Sequence, residues 1–258
     1  HEDYRDFSRV IYVKKNAPRL LEKEVRKVGP DVVAISGVTD PYQPAERKYE
    51  LTRKILEVLA KHRFPVHIGT KSNLVLRDLD LLKKIAEQTW CTVTVTIITF
   101  NPVILPHLEL FAPSPEIRLE TVKKLNEEGI QAGINFTPIV PYLLDDPNNI
   151  EEVIKRAANC AKYVLIGSGM TLRSNQWQRF LELLRERFPE LLQRYEDSYG
   201  QNMSPPRDYV IRLNRCAFEF CKKYSIRNYI APPSFERPLR ENFGAANHLL
   251  LIAFFQRI

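Results

Sequence analysis

Residues 32–72 read VVAISGVTDPYQPAERKYELTRKILEVLAKHRFPVHIGTKS, and this stretch decides the fold class. Val32–Ser36 opens it as a continuous apolar run, the pattern of a parallel strand covered on both faces. A long polar turn follows, then an amphipathic helix with Leu51, Ile55, Leu56, Val58 and Leu59 on one side. Arg53, Lys54, Glu57 and Lys61 occupy the other. Val66–Gly69 is a second short strand, reached within a few residues of the helix end. Strand, helix, strand makes one β-α-β unit. Both strands run out into polar residues, Thr39-Asp40 after the first and Thr70-Lys71-Ser72 after the second. Parallel α/β proteins bind ligands at the carboxyl ends of their strands, so the two turns are candidates for one site.

The same rhythm extends in both directions. Upstream, Ile11–Lys14 is short and extended, and Asn16 precedes a helix with Pro18 in its first turn, stopped by Gly29-Pro30. Downstream, a helix over Asp78–Gln88 leads to CTVTVTIITF, whose alternation of Thr with Val and Ile suits a strand facing a polar lumen. Asn101–Pro113 is an irregular loop. Ser114 caps a helix over Pro115–Glu128 that Gly129 closes. Gln131–Thr137 is another strand, Asn148 or Asn149 caps a helix to about Cys160, and Tyr163–Ile166 is a last core strand ending in Gly167-Ser168-Gly169. Helices and apolar strands in alternation argue for a parallel α/β fold. No strand is followed by a Gly-rich phosphate turn, which favours a barrel or partial barrel over an open doubly wound sheet. Residues 1–169 are expected to form that core. Residues 170–258 read as a C-terminal helical and extended extension packing on it, with helices over Asn175–Arg187 and Asp208–Tyr224 and a very apolar end.

Composition bounds the function. Hydrophobic residues make up 44% and charged residues 27%, an ordinary soluble globular balance. No apolar window is long enough for a membrane span, and no signal peptide is evident. Lys and Arg exceed Asp and Glu by 38 to 31, which permits an anionic partner such as nucleic acid without requiring one. Cys91, Cys160, Cys216 and Cys221 show neither a disulfide framework nor metal-ligand spacing, and the context reads as reducing cytoplasm. His67 alternates within a strand and reads as a satisfied wall residue. The Trp177, Phe180, Arg179 and Arg185 group reads as core aromatics with solvated arginines.

Polarity recurs at the strand ends: Ser36, Thr39 and Asp40, then Thr70, Lys71 and Ser72, then Thr96 and Thr99, then Asn135 and Thr137, then Ser168. A ring of hydroxyls with one lysine and one carboxylate suits a ligand carrying ammonium, carboxylate and ribose groups. Lys71 is the point charge for a carboxylate. Asp40 either holds an amine or orders its own turn before Pro41.

GVTDPYQPAERKYELTRKILEVLAKHRFPVHIGTKSNLVLRDLDLL, with VTVTIITFN and APSPEIRLETVKKLNEEGIQAGINFTPIVPYLLDD further on, resembles radical S-adenosylmethionine (SAM) enzymes of the spore photoproduct lyase-like group. The resemblance implies a TIM-like partial (β/α)6 barrel. It also implies a [4Fe–4S] cluster on a CxxxCxxC loop after the first strand, and SAM cleaved to a hydrogen-abstracting 5′-deoxyadenosyl radical. An electron donor such as ferredoxin or flavodoxin is implied with them. Carried over, Gly37, Val38, Thr39 and Asp40 lie by the methionine amine, Lys71 faces the carboxylate, and Thr96 and Thr99 face the ribose. Asn135, Thr137 and Ile166–Ser168 border adenine. No CxxxCxxC occurs in the chain, and the family pattern puts that loop just upstream of His1-Glu2-Asp3-Tyr4. The first barrel strand is therefore expected to be missing, and the chain as given to hold no cluster and be inactive. The substrate is open, with nucleic acid a candidate. Tyr195 and Tyr199 are candidates for a radical relay or, more simply, for packing. Two other classes stand beside this reading: a cluster-free barrel for a phosphorylated or nucleotide-like metabolite, and a nucleic-acid-binding module.

Overall fold

A computed structural model describes residues 10–35, 39–167, 169–172, 175–199, 204–232, 250–252 and 255–257. In chain order, β1 (Ile11–Val13) and α1 (Ala17–Glu24) precede β2 (Val33–Ile35). The turn after β2 carries a short helix, α2 (Glu46–Tyr49), before α3 (Leu51–Lys61). Then come β3 (Val66–Thr70), a 3₁₀ turn (Asn73–Asp78), α4 (Leu79–Gln88) and β4 (Cys91–Thr96). A short α5 (Leu105–Leu108) interrupts the next loop, followed by α6 (Pro115–Glu127), β5 (Gln131–Phe136), α7 (Pro147–Ala158) and β6 (Val164–Ile166). The remaining elements are α8 (Asn175–Arg187), α9 (Leu192–Tyr199), α10 (Arg207–Lys223), β7 (Leu250–Ile252) and β8 (Phe255–Arg257). All five strands read from the alternation are present, each within a few residues of its expected bounds.

One compact unit comprises the described residues of His1–Val95, Glu120–Ala132 and Ile230–Ile258. Its sheet is parallel, with Val33 in register with Val66 and Val66 with Cys91. The apolar stripe of α3 does what its spacing requires: Ile55, Leu56 and Leu59 are fully buried, beside Val66, Ile68 and Leu82. Each such side chain contributes roughly 1.5–3 kcal/mol of burial. Val58, expected on that stripe, is half-buried, and Thr52 takes a buried position instead. At the far end of the chain, β7 extends this sheet as a parallel neighbour of β2, and β8 pairs antiparallel with β1. A three-residue apolar run such as Leu250–Ile252 carries no sequence signal for which strand edge it completes.

His67 sits on β3 in register with Ala34 and Thr92. It is a wall residue as expected, but its Nδ1 is buried with no hydrogen-bond partner among the described residues. Burial pulls its pKa down from 6.5 to about 4. The unfolded chain takes up this proton near pH 6.5 and the folded chain only near 4. The contribution to stability is therefore complete above pH 6.5 and is lost as the pH falls through 4. Urea melts at pH 7 and 4.5 are expected to show His67→Gln losing on the order of 2 kcal/mol less than wild type over this interval. Equal losses in the two proteins would exclude His67 as the source.

The second unit comprises the described residues of Thr96–Leu119 and Gly133–Tyr229. Here β5 and β6 pair in parallel, Ile134 with Val164 and Phe136 with Ile166, and Tyr163 bridges to Arg227. Its core gathers Ile98, Val140, Leu144, Phe180, Leu184, Tyr195 and Tyr199, with Trp177 packed against them. Tyr195 and Tyr199 stack with ring centroids 5.7 Å apart. Tyr195 donates its hydroxyl proton to the Pro141 carbonyl, and Tyr199 to that of Met170 at 2.7 Å. Both rings thus pack in the core with satisfied hydroxyls. The cap of α7 is Asp146, whose carboxylate accepts from Asn148 N at 2.7 Å, rather than either asparagine. Asn149 is engaged elsewhere: its amide donates to the Leu144 carbonyl at 2.8 Å. Among the described residues, no helix is long and apolar enough to cross a membrane.

Candidate functional site

The turns after β2 and β3 are joined by one carboxylate. Asp40 Oδ1 accepts from Tyr42 N at 2.8 Å and from the Thr70 hydroxyl at 2.6 Å, while Oδ2 accepts from Lys71 N at 2.6 Å. The Thr70 hydroxyl in turn accepts from Ser72 N at 3.0 Å, and Ser72 Oγ accepts from Leu74 N at 3.2 Å. Thr39, Asp40, Thr70, Lys71 and Ser72 are thereby brought together in the first unit. Asp40 both orders its own turn, through the Tyr42 amide, and fixes the backbone of Lys71 thirty-one residues away. A carboxylate accepting three donors is among the stronger local arrangements available to a loop.

Behind these turns lies a buried ionic network that sequence reading did not anticipate. The stretch read as a polar turn has Tyr42, Gln43 and Glu46 buried. Glu46 accepts from Thr52 N and Arg53 N, serving the free amides at the start of α3, and it pairs with Arg77 Nη2 at 2.8 Å. Asp78, with no exposed surface, accepts from Tyr42 Oη at 3.1 Å, Arg53 Nη1 at 3.0 Å and Arg77 Nε at 2.9 Å. Burial, and then the charge of Asp78, hold the Tyr42 phenol well above its ordinary pKa, so it remains a donor. No local signal marked them: Arg53 falls on the polar side of its helix, and Glu46, Arg77 and Asp78 sit in polar stretches.

In the second unit, Asn135 Nδ2 donates to Thr96 Oγ1 across 3.5 Å. The Thr96 carbonyl accepts from Arg118 Nη1 at 2.7 Å, and Arg118, almost wholly buried, also pairs with Glu109 at 2.6 Å. Arg118 was legible only as one more charge on an amphipathic helix. Thr99 does not face the same way as Thr96: its hydroxyl donates to Asn149 Oδ1 at 2.6 Å and accepts from Asn101 N at 3.0 Å. β4 ends at Thr96, although Ile97–Phe100 stay buried. Thr137, followed by a cis peptide bond to Pro138, packs against Gly167; a Cβ there would lie 1.9 Å from its hydroxyl. Ser36 and Ser168 lie outside the described residues, as do Gly37 and Val38.

A radical SAM superfamily profile matches residues 5–147, more than half of the chain and every strand-end residue from Thr39 to Thr137. The chain belongs to the radical SAM superfamily. An uncharacterized protein of Methanocaldococcus jannaschii is 32% identical over 217 residues, covering 84% of this chain and 72% of that protein. One from Mycobacterium tuberculosis is 29% identical over 238 residues, covering 91% of this chain and 70% of that protein. Among solved structures, a cysteine mutant of spore photoproduct lyase aligns with a TM-score of 0.62 at 13% identity, over 83% of this chain. A double mutant of the same lyase, bound to AdoMet and a dinucleoside spore photoproduct, aligns with a TM-score of 0.61. This chain spans 65% of the length of the first of these. At such identity the likeness shows the fold, and it is the expected one: an α/β partial barrel of parallel strands.

The four cysteines of this superfamily member do not fit an iron–sulfur cluster. Cys91 and Cys221 are buried, and burial pushes their thiols up, to about 12 and about 11. A cluster needs thiolates that converge. Among the described residues, no three His, Cys, Asp or Glu side chains do so.

Proposed function

We propose that this protein is a radical SAM enzyme and that the described strand ends contribute its SAM contacts. The superfamily match across residues 5–147 carries the reading. In the first unit, the turns clamped by Asp40 are assigned to the methionine end of SAM, with Lys71 toward its carboxylate. In the superfamily, bound SAM supplies a hydrogen-abstracting 5′-deoxyadenosyl group. This chain's own residues orient SAM; the cysteines described above hold no cluster, and no step is assigned to them. An oligonucleotide is the first substrate to test, because the net charge is +7.

Asp40→Asn tests the clamp without changing its shape. Asparagine keeps an acceptor for Tyr42 N and the Thr70 hydroxyl, but sets an NH₂ against Lys71 N–H. We expect SAM affinity to fall by about tenfold or more, and the melting temperature to fall by a few degrees as Lys71 N–H loses its acceptor. Unchanged affinity in equilibrium dialysis would remove Asp40 from this role. The function as a whole is tested on the gene product reconstituted with iron and sulfide without oxygen. Deoxyadenosine release from SAM after dithionite reduction supports the assignment, and a product that takes up no iron and releases none defeats it.

A further inference from the structure

A separate cleft of about 580 Å³ opens within the second unit, between the 142–147 loop, α9 and α10. That volume falls in the range of small-molecule sites, roughly 300–1,000 Å³. Two cations and two anions line it, Arg194 and Arg212 against Asp145 and Asp208. Among the described residues, no ion pair joins either arginine to either aspartate. Arg194 instead lies over the ring of Tyr142, its Cζ 4.0 Å from the centroid. The Tyr142 hydroxyl is in turn 2.5 Å from Ser198 Oγ, so the ring beneath the guanidinium is held in place. Asp145 accepts from Tyr209 Oη at 2.6 Å. Burial, with the adjoining carboxylate, raises the Tyr209 phenol, which keeps it protonated and donating.

This charge pattern decides the class of ligand. A lone oxyanion drawn to the arginines also meets the two aspartates that line the same cleft, and a lone cation drawn to the aspartates meets the two arginines. For a singly charged ligand, attraction to one pair is thus offset by repulsion from the other. A group that carries both charges a few ångströms apart is favoured at each end. We propose that this cleft binds the zwitterionic head group of an α-amino acid. Its carboxylate lies toward Arg194 and Arg212, and its ammonium toward Asp145 and Asp208. Either a free amino acid or the amino-acid end of a larger molecule such as SAM supplies this chemistry. The inference does not depend on the strand-end assignment above.

The test is calorimetric titration of the intact protein with the common L-amino acids and, separately, with SAM. Any binder is compared with its N-acetyl and methyl-ester derivatives. At least one probe is expected to bind with a Kd below about 1 mM. Loss of either of its charges is expected to weaken binding by about tenfold or more. Arg212→Gln and Asp208→Asn change exposed side chains, and each is expected to weaken binding by about tenfold at an unaltered melting temperature. A free amino acid obeying this pattern identifies that source; SAM alone obeying it identifies the other. The proposal is overturned if nothing binds at about 10 mM. It is also overturned if a singly charged derivative or inorganic phosphate binds as tightly, or if binding survives both substitutions.

Discussion

Asp78→Ala is expected to lower the unfolding free energy by about 3–5 kcal/mol, the range for removing one partner of a buried ionic network. Asp78 has no exposed surface and serves Tyr42, Arg53 and Arg77 together. Its loss leaves a buried phenol without an acceptor, and two guanidinium groups, 28% and 23% exposed, without the charge that compensated their desolvation. Arg53 falls back on Asp80, and Arg77 on Glu46. The comparison is Asp80→Ala, which removes an exposed partner of the same Arg53 and is expected to cost under about 1 kcal/mol. Chemical denaturation of the two variants decides the matter. Costs of similar size would mean that Asp78 is not the centre of the network. The turns that hold Asp40 and Thr70 rest on these residues, so the stability cost is expected to appear also as weakened SAM binding.

Gly133→Ala is expected to do comparable damage for a steric reason. A Cβ at Gly133 would stand 2.4 Å from the ring of Tyr163 and 2.5 Å from its backbone oxygen. The ring belongs to a residue with no exposed surface, and the oxygen accepts from Ile134 N at 2.9 Å, so neither neighbour can move aside cheaply. Overpacking of this kind costs about 1–3 kcal/mol when side chains can yield, and more when backbone must. We expect at least 3 kcal/mol, or failure to accumulate as soluble protein. Gly129→Ala is the control. It adds strain at a φ of +83° but meets nothing within 4 Å, so a loss of about 1 kcal/mol is expected. Equal melting temperatures for the two variants would contradict the packing argument.

The strand–helix rhythm was legible because it rests on local chemistry. Val32–Ile35 is an apolar run at the length of a strand, the stripe of α3 recurs at the helical period, and Gly129 closes α6 with the positive φ expected of it. The polar strand ends were legible for the same reason. What their residues do was not. Asp40 was readable as a ligand for an amine or as a turn former. Only the approach of Thr70 and Lys71, some thirty residues on, shows that it links two turns. Thr96 and Thr99 look alike in the sequence, yet one meets Asn135 and the other Asn149.

By itself, then, the sequence determined the fold class, the order of its strands and helices, and the set of polar residues at the strand ends, since period and polarity are properties of neighbouring residues. Tertiary structure alone decided that Glu46, Asp78 and Arg118 go inside, that Asp40 is a clamp, and that Leu250–Ile252 completes an edge beside Val33–Ile35. Burying a charge is tolerable only where a distant segment brings its partner, and strand edges pair with whatever chain reaches them. Neither condition is written in the spacing of adjacent residues.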